Sequence, residues 1–439
     1  MCISPRIIHI KSASSEEIST ILQRGKKELD DIMKKIEPII NDVKYNGDKA
    51  LLKYIKMYDH VEFKSAEDII VSEKEIKQAY EKLDPKVLKA IEIAIENATK
   101  FHKELMPKEV RVTIGKGIEG RRLVIPLKSA GLYIPAGKYP LPSVAVFATI
   151  PAKVAGVSQI SVCSPPRPDG TLHEATLVAA DMSGATTIYK MGGSHAIAAY
   201  AYGTETVKRV DVIAGPGGPY VSAAKLLVQK DVKIDLPAGP SEGMVLADES
   251  ANPLFVAADT ISEAEHGPDS AGVLVTPSEM LANKVKDLIC EMINQFKEKN
   301  KNYIIQNIKK GYTAIVVTDS LSEAIDFVNL YAPEHLVIHT KNPEEALRKL
   351  KNFGTACIGP YTPITAGNYM VGPNPILPTG RYARIYSGLS VDHFLKKPTV
   401  ENLTKEGLET LREHLYNIAN YEGFDAHINA VEIRFKSKE

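Results

Sequence analysis

The chain has 439 residues, with 54 Lys plus Arg against 54 Asp plus Glu, so its formal charge is balanced. That balance argues against a dedicated nucleic-acid binder, which shows a basic excess. A hydrophobic share of 44% beside 25% charged residues is that of a globular chain able to bury two or more cores. No stretch reaches the ~20 apolar residues of a bilayer span, since the longest, Val144 to Val157, is broken by Pro151 and Lys153. The start, MCISPRIIHIKSASSEE, lacks an apolar leader, so a cytoplasmic chain with no membrane partner is expected. Cys2, Cys163, Cys290 and Cys357 are scattered without CxxC spacing, which predicts neither a disulfide framework nor a thiolate metal site. Cys163 and Cys357 read as small buried hydrophobes near strand ends.

Residues 1–105 read mainly as helix. Asp84-Pro85 is a helix start, an N-cap followed by proline at the first helical position, and Val87, Ile91, Ala94, Ile95 and Ala98 then share one face. VRVTI and RRLVIPL, around Gly115, Gly117 and Gly120, read as short strands. From Gly131 apolar runs alternate with helical stretches: GLYIP, VAVFATIPAKVAGV, QISVC, HEATLVAADM, TTIYKMGG, AIAAYAYG and VDVIAGPGG. A second series follows, from EGMVLAD through AGVLVT and TAIVVTD to HLVIHT and GTACIG. Such alternation predicts two α/β domains, each around a parallel sheet. A helix from Thr404 to Tyr421 closes the pattern. MGGSHAIAAYAYGTE and AGPGGPYVSAAK are Gly-rich turns entering helices, where exposed amides suit an anion. Neither is a G-x-G-x-x-G or a Walker A loop, and a tight turn needs glycine whether or not it holds phosphate.

Three segments gather titratable residues. In SEAEHGPDS, Glu263 and His266 are three apart on one helical face, the spacing of two ligands to one metal ion. A solvated acidic helix end explains the segment equally well. In YAPEHLVIH, Glu334 and His335 set a carboxylate beside an imidazole just before a strand, able to divide proton work between water and a hydroxyl. The bland alternative is a surface Glu-His pair. In YEGFDAHINA, Glu422, Asp425 and His427 have no local explanation.

Taken together and in this order, the sequence resembles the histidinol dehydrogenase family. GLYIPAG, PAKVAGV with CSPP, GGSHAIAAYAYGT, IDLPAGPSE, AEHGPDS, APEHL, GPNPILPT and FDAH carry the resemblance across residues 131–428. It implies an α/β fold of two incomplete Rossmann-like parallel-sheet domains, with small helical N- and C-terminal pieces exchanged in a homodimer that shares its active sites. By that resemblance 28–132 with 241–388 form the first Rossmann-like domain and 133–240 the second. Residues 1–27 with 389–413 form a small helical domain, and 414–439 the exchange segment. It further implies a zinc- and NAD-dependent oxidation of an alcohol to an acid through a bound aldehyde, with two NAD consumed. The metal ligands fall on Glu263, His266, Asn368 and His427, the last from the partner chain. His335 falls at the general base for hydride removal and Glu334 at the group that activates water. Substrate contacts fall on Ser143, Ser241 and Glu422, and a nucleotide contact on Tyr133.

Departures from the family pattern bear on each component. Glu263 stands where glutamine is usual and Asn368 where aspartate is usual, so the two charge changes cancel and a metal site is retained. Zinc is the default, and oxygen-rich ligation with two imidazoles also suits Mn2+ or Co2+. Pro375 replaces a substrate-contacting histidine. Arg381 stands where glycine is usual, and its guanidinium either lies beside the pocket, selecting carboxylate, sulfonate or phosphate, or faces solvent. His195 and Gly218 replace usual nucleotide contacts, and a protonated His195 would attract the extra phosphate of NADP. The nominal reaction is L-histidinol to L-histidine. The alternative is the same chemistry on a non-imidazole, anionic alcohol such as sulfopropanediol, and a third class is a folded remnant that binds nucleotide or metal without turnover.

Overall fold

The apolar runs that follow residue 128 fold as strands paired in parallel, because helices return the chain to the same sheet edge after each one. The computed structural model describes residues 3–24, 29–137 and 139–436; Cys2 and the domain boundary expected at residue 27 lie outside them. It divides into two compact units, one of residues 3–106 with 127–394, the other of 107–126 with 395–436.

Two sheets organise the larger unit. One has five strands, in the order Thr187–Lys190, Gln159–Ser164, Ser129–Tyr133, Val212–Ala214 and Lys233–Ile234. The other has six, in the order Arg6–His9, Thr313–Val317, Ala271–Thr276, Glu242–Ala247, His335–His339 and Thr355–Ile358. Numbered within each sheet, and setting Arg6–His9 aside, both run 3-2-1-4-5, the dinucleotide-fold order short of its last strand. The larger unit thus holds the two incomplete Rossmann-like sheets that the sequence predicts.

Both faces of the six-stranded sheet are covered, which is why its strands are almost wholly apolar. Met244, Leu246, Val273, Val275, Leu336 and Ile338 pack with the helix Leu321–Tyr331. On the opposite face Val245, Leu274, Val337 and Cys357 pack with the helices Pro253–Ser262 and Glu279–Ile293. Each fully buried Val, Leu or Ile contributes about 1.5–3 kcal/mol, so this core fixes the sheet edges on which the site is built.

The N-terminal region is less uniformly helical than expected. Asp84 caps the helix Pro85–Glu104 by accepting from the Lys86 amide, and Ile91, Ala94 and Ala98 are buried, but Val87 at the first turn is exposed. Arg6–His9 is a strand, stabilised by pairing in register with Thr313–Val317. In the smaller unit Ile118–Arg122 pairs antiparallel with Val110–Gly115 and with Thr399–Leu403. There the helix expected over Thr404 to Tyr421 forms as Lys405–Glu422, with Thr404 as its cap, and a second helix, Asp425–Lys436, follows it. Cys163 and Cys357 are free and buried as expected, while Cys290 is disulfide-bonded, which its isolated position in the sequence does not signal. No described helix is long and apolar enough to cross a membrane.

Candidate active site

Ligands in open parallel sheets usually gather at the carboxyl ends of strands, and the Glu334–His335 pair sits at the opposite end. His335 is the first residue of its strand, in register with Gly243, so it and Glu334 stand at the amino edge of the six-stranded sheet. The helix Pro253–Ser262 runs back from the carboxyl edge and delivers Glu263 and His266 to the same place. Gly243 tolerates this approach because it has no side chain: a Cβ there would lie 3.1 Å from Cγ of Glu263.

Glu263, His266 and Asn368 converge. The three-residue spacing of Glu263 and His266 is realised in a 3-10 turn, Glu263–Glu265, that extends the helix, and puts His266 Nδ1 2.8 Å from Glu263 Oε2. Asn368, on the short helix Ile364–Tyr369, donates from Nδ2 to Glu263 Oε1 at 3.0 Å. Burial raises the pKa of Glu263, yet His266, His335 and Asn368 outweigh it and hold the carboxyl at about 2. Asn368 Oδ1 is buried and accepts no hydrogen bond. A carboxylate, an imidazole and an unused amide oxygen form a donor set that fits a divalent cation. Among the described residues no group of three His, Cys, Asp or Glu side chains does so, because the third donor here is an amide.

Glu334 and His335 are both buried, with His335 Nε2 3.9 Å from Glu334 Oε1. The other carboxyl oxygen, Oε2, accepts from the Glu242 amide at 2.8 Å. Burial, reinforced by Glu263 and Glu242, pushes the Glu334 pKa well above the carboxylate range. Burial lowers that of His335, which keeps the imidazole neutral and able to take a proton. Thr355 and Gly354 donate to the carbonyls of Glu334 and Pro333 at 3.0 and 2.9 Å, fixing the backbone that carries the pair.

The residues expected to meet the nucleotide gather elsewhere, at the carboxyl edge of the five-stranded sheet. Tyr133 ends its first strand, and its hydroxyl accepts from the Gly193 amide at 3.2 Å at the start of the helix Gly193–Tyr202. His195, in the first turn of that helix, is buried, with Nε2 3.2 Å from Asp59 Oδ2 and its ring stacked with Tyr54 and Tyr58. Gly218 caps the helix Pro219–Val228 beside open space. Tyr133 and the Gly215–Gly218 loop flank the point where the strand order reverses, the usual crevice of this topology. A cleft lined by Pro219, Ser222, Gly239, Glu242 and Gly380 joins this edge to the amino edge of the other sheet.

Among the remaining predicted residues, Ser143 lies in the first turn of the helix Pro142–Ala155 and Ser241 just precedes the strand Glu242–Ala247; both are half-buried. Arg381 is half-buried in a left-handed conformation with φ 70, next to the cleft residues Gly380 and Tyr382. Glu422 and His427 are exposed on the two terminal helices, in the smaller unit. Pro375 is half-buried next to Asn374, which donates to the Phe147 carbonyl at 2.7 Å. The sequence reading misses Arg24, Glu242 and Asp59. A charged residue opening the otherwise apolar strand EGMVLA was the available signal for Glu242.

A doubly wound pair of sheets, with a buried carboxyl-imidazole pair at one edge and a glycine-rich turn at another, defines a dehydrogenase-like α/β protein. The chain belongs to the histidinol dehydrogenase family, whose model matches residues 22–435. It is 43% identical over 430 residues to histidinol dehydrogenase of Methanothermobacter thermautotrophicus, covering 98% of this chain and 100% of that protein. It is 44% identical to that of Methanocaldococcus jannaschii, covering 97% and 98%. The crystal structure of histidinol dehydrogenase from Elizabethkingia anophelis superposes with a TM-score of 0.92 at 36% identity, covering 99% of each chain.

Proposed function

We propose that this protein oxidises L-histidinol to L-histidine in two NAD-dependent steps through a bound aldehyde. The observation that carries the reading is the buried Glu334–His335 pair, lying beside the Glu263–His266–Asn368 donor set. In the first step His335 takes the hydroxyl proton as the carbinol carbon gives hydride to NAD. In the second, water adds to the aldehyde carbon, Glu334 takes the proton from that water, and the hydrate gives hydride to a second NAD, leaving the acid.

Glu263, His266 and Asn368 would hold a divalent cation, zinc by default and Mn2+ or Co2+ as alternatives, with His427 of a partner chain completing the set. Bound there, the ion supplies positive charge that polarises the substrate hydroxyl and offsets the field of Glu263 on Glu334, favouring its carboxylate form. The homodimer, its exchanged terminal pieces and the four-piece domain division belong to the same proposal. Ser143, Ser241 and Glu422 are the proposed substrate contacts. Tyr133, His195 and Gly218 are the proposed nucleotide contacts, and Asp59 beside His195 supports NAD over NADP, because its carboxylate repels a 2′-phosphate.

A panel assay tests the reading: metal-loaded protein is offered L-histidinol and anionic diols, sulfopropanediol among them, with NAD and with NADP, and absorbance is followed at 340 nm. Turnover of histidinol with NAD is expected. Turnover confined to an anionic diol would overturn the substrate and make Arg381 the first specificity residue to replace.

A further inference from the structure

Arg24 and Glu242 form a buried ion pair that none of the steps above uses. Both side chains are almost fully buried, at 2% and 4% exposure. Arg24 Nε and Nη2 donate to Glu242 Oε1 and Oε2 at 2.7 and 2.6 Å, a two-pronged contact of the kind that fixes both orientation and position. Nη1 donates to the carbonyls of Leu22 and Tyr331 at 3.0 and 3.2 Å, and the guanidinium lies 3.7 Å over the Tyr331 ring. Glu242 Oε1 also accepts from the Gly380 amide at 2.7 Å. One pair therefore ties together the end of the helix Ser15–Gln23, the end of the helix Leu321–Tyr331, the loop at Gly380, and the first residue of the central strand Glu242–Ala247.

Backbone conformation singles out the same place. Four non-glycine residues among those described have positive φ, and three belong here: Arg24 (φ 31), Ala332 (φ 52) and Arg381 (φ 70). Ala332 follows Tyr331 and lies two residues before Glu334, while Arg381 follows Gly380. Strained backbone survives only where surrounding contacts over-determine it, and it clusters at functional sites. The consequence for the site is geometric. With its side chain clamped, Glu242 presents its amide to Glu334 Oε2 at 2.8 Å, leaving Oε1, 3.9 Å from His335 Nε2, as the oxygen that faces the imidazole.

We propose that the Arg24–Glu242 pair is a positioning device for the second oxidation: it fixes the Glu242 amide against Glu334 and so aims the free carboxyl oxygen at the attacking water. The proposal rests on the two-step reading above. It makes Arg24 and Glu242 positioning residues, acting through Glu334 without touching substrate.

Removing Arg24 alone strands a buried carboxylate and risks unfolding, so the decisive variant is the double replacement Arg24→Met with Glu242→Gln, which leaves no unpaired charge. Arg24→Lys, which keeps the charge but not the two-pronged contact, serves as the rescue. In the folded double variant, NAD-dependent oxidation of histidinal is expected to lose about ten- to hundredfold in kcat, with KM for the aldehyde nearly unchanged. Aldehyde reduction by NADH, the reverse of the first step, is expected to stay within about threefold, and Arg24→Lys to fall between the double variant and the parent. Equal losses in both half-reactions, or none in either, would overturn the proposal. A second readout needs no turnover: carbodiimide labelling of Glu334, quantified by peptide mass spectrometry, should be several-fold faster in the double variant. Equal labelling overturns the positioning role even if the parent ignores histidinol, an outcome that by itself would sink only the functional reading.

Discussion

Replacing Lys225 with Met tests how the crevice at the strand-order reversal is held open. Lys225, on the helix Pro219–Val228, and Asp235 are both buried and form an ion pair. Lys225 Nζ also donates to the carbonyls of Gly215 and Leu236, at 2.9 and 3.2 Å, and Asp235 Oδ2 accepts from the Gly215 amide at 2.8 Å. Gly215 has φ 118, and a Cβ there would come within 2.2 Å of the Tyr133 carbonyl, so the end of one strand is pressed against the next. The pair thus fixes both peptide groups of the turn that leads to Gly218. Lys225→Met leaves Asp235 charged, buried and unpaired, which costs about 3–5 kcal/mol, roughly a third or more of an ordinary folding free energy. Urea unfolding followed by circular dichroism measures that loss. NAD affinity, read by nucleotide fluorescence on the protein that remains folded, should weaken as well. Adding Asp235→Asn should restore a large part of the stability, because no charge is then stranded. If Lys225→Met cost less than about 1 kcal/mol, in the range of an exposed pair, the buried-pair reasoning would be refuted.

Further outcomes follow from the site and the core. His266→Ala should strip the metal, seen as loss of bound ion by elemental analysis, since one of the proposed ligands is gone; full occupancy in that variant would contradict the assignment. Glu334→Gln should slow aldehyde oxidation by about 10²–10⁴ while sparing hydride transfer from the alcohol, measured in separate half-reactions. His102 is fully buried, edge-on to Phe101, and burial depresses its pKa from 6.5 to about 4. The folded state therefore binds fewer protons than the unfolded chain in that window. The His102 contribution is present above pH 6.5 and is lost progressively as pH falls toward 4, up to about 3 kcal/mol. His102→Leu should flatten that decline in urea midpoints taken from pH 7 to 4.5, and an unchanged slope would show that His102 does not carry it.

Much of the fold is legible because most parallel strands are apolar runs followed by a helical stretch, and because helices outside the two sheets carry start signals of their own, such as Asp84-Pro85. Arg6–His9 is not legible, because four residues become a strand only by pairing with Thr313–Val317, far along the chain. The final helix Asp425–Lys436 buries none of its residues, so it shows no apolar stripe to read. In the site, the short-range Glu263–His266 and Glu334–His335 pairs can be seen as motifs. The contacts from Asn368 to Glu263 and from Arg24 to Glu242 exist only once the chain has folded. The edge of the six-stranded sheet at which these residues meet is also set by the fold: a returning helix carries Glu263 and His266 to the amino edge, where His335 opens its strand.

The most direct test of the central claim is the amount of NADH formed per L-histidinol consumed by metal-loaded protein, with the product identified by chromatography. Two NADH per histidinol, with L-histidine as the product, is the predicted result. One NADH with free histidinal released, or no NADH at all, would contradict the two-step assignment of His335 and Glu334.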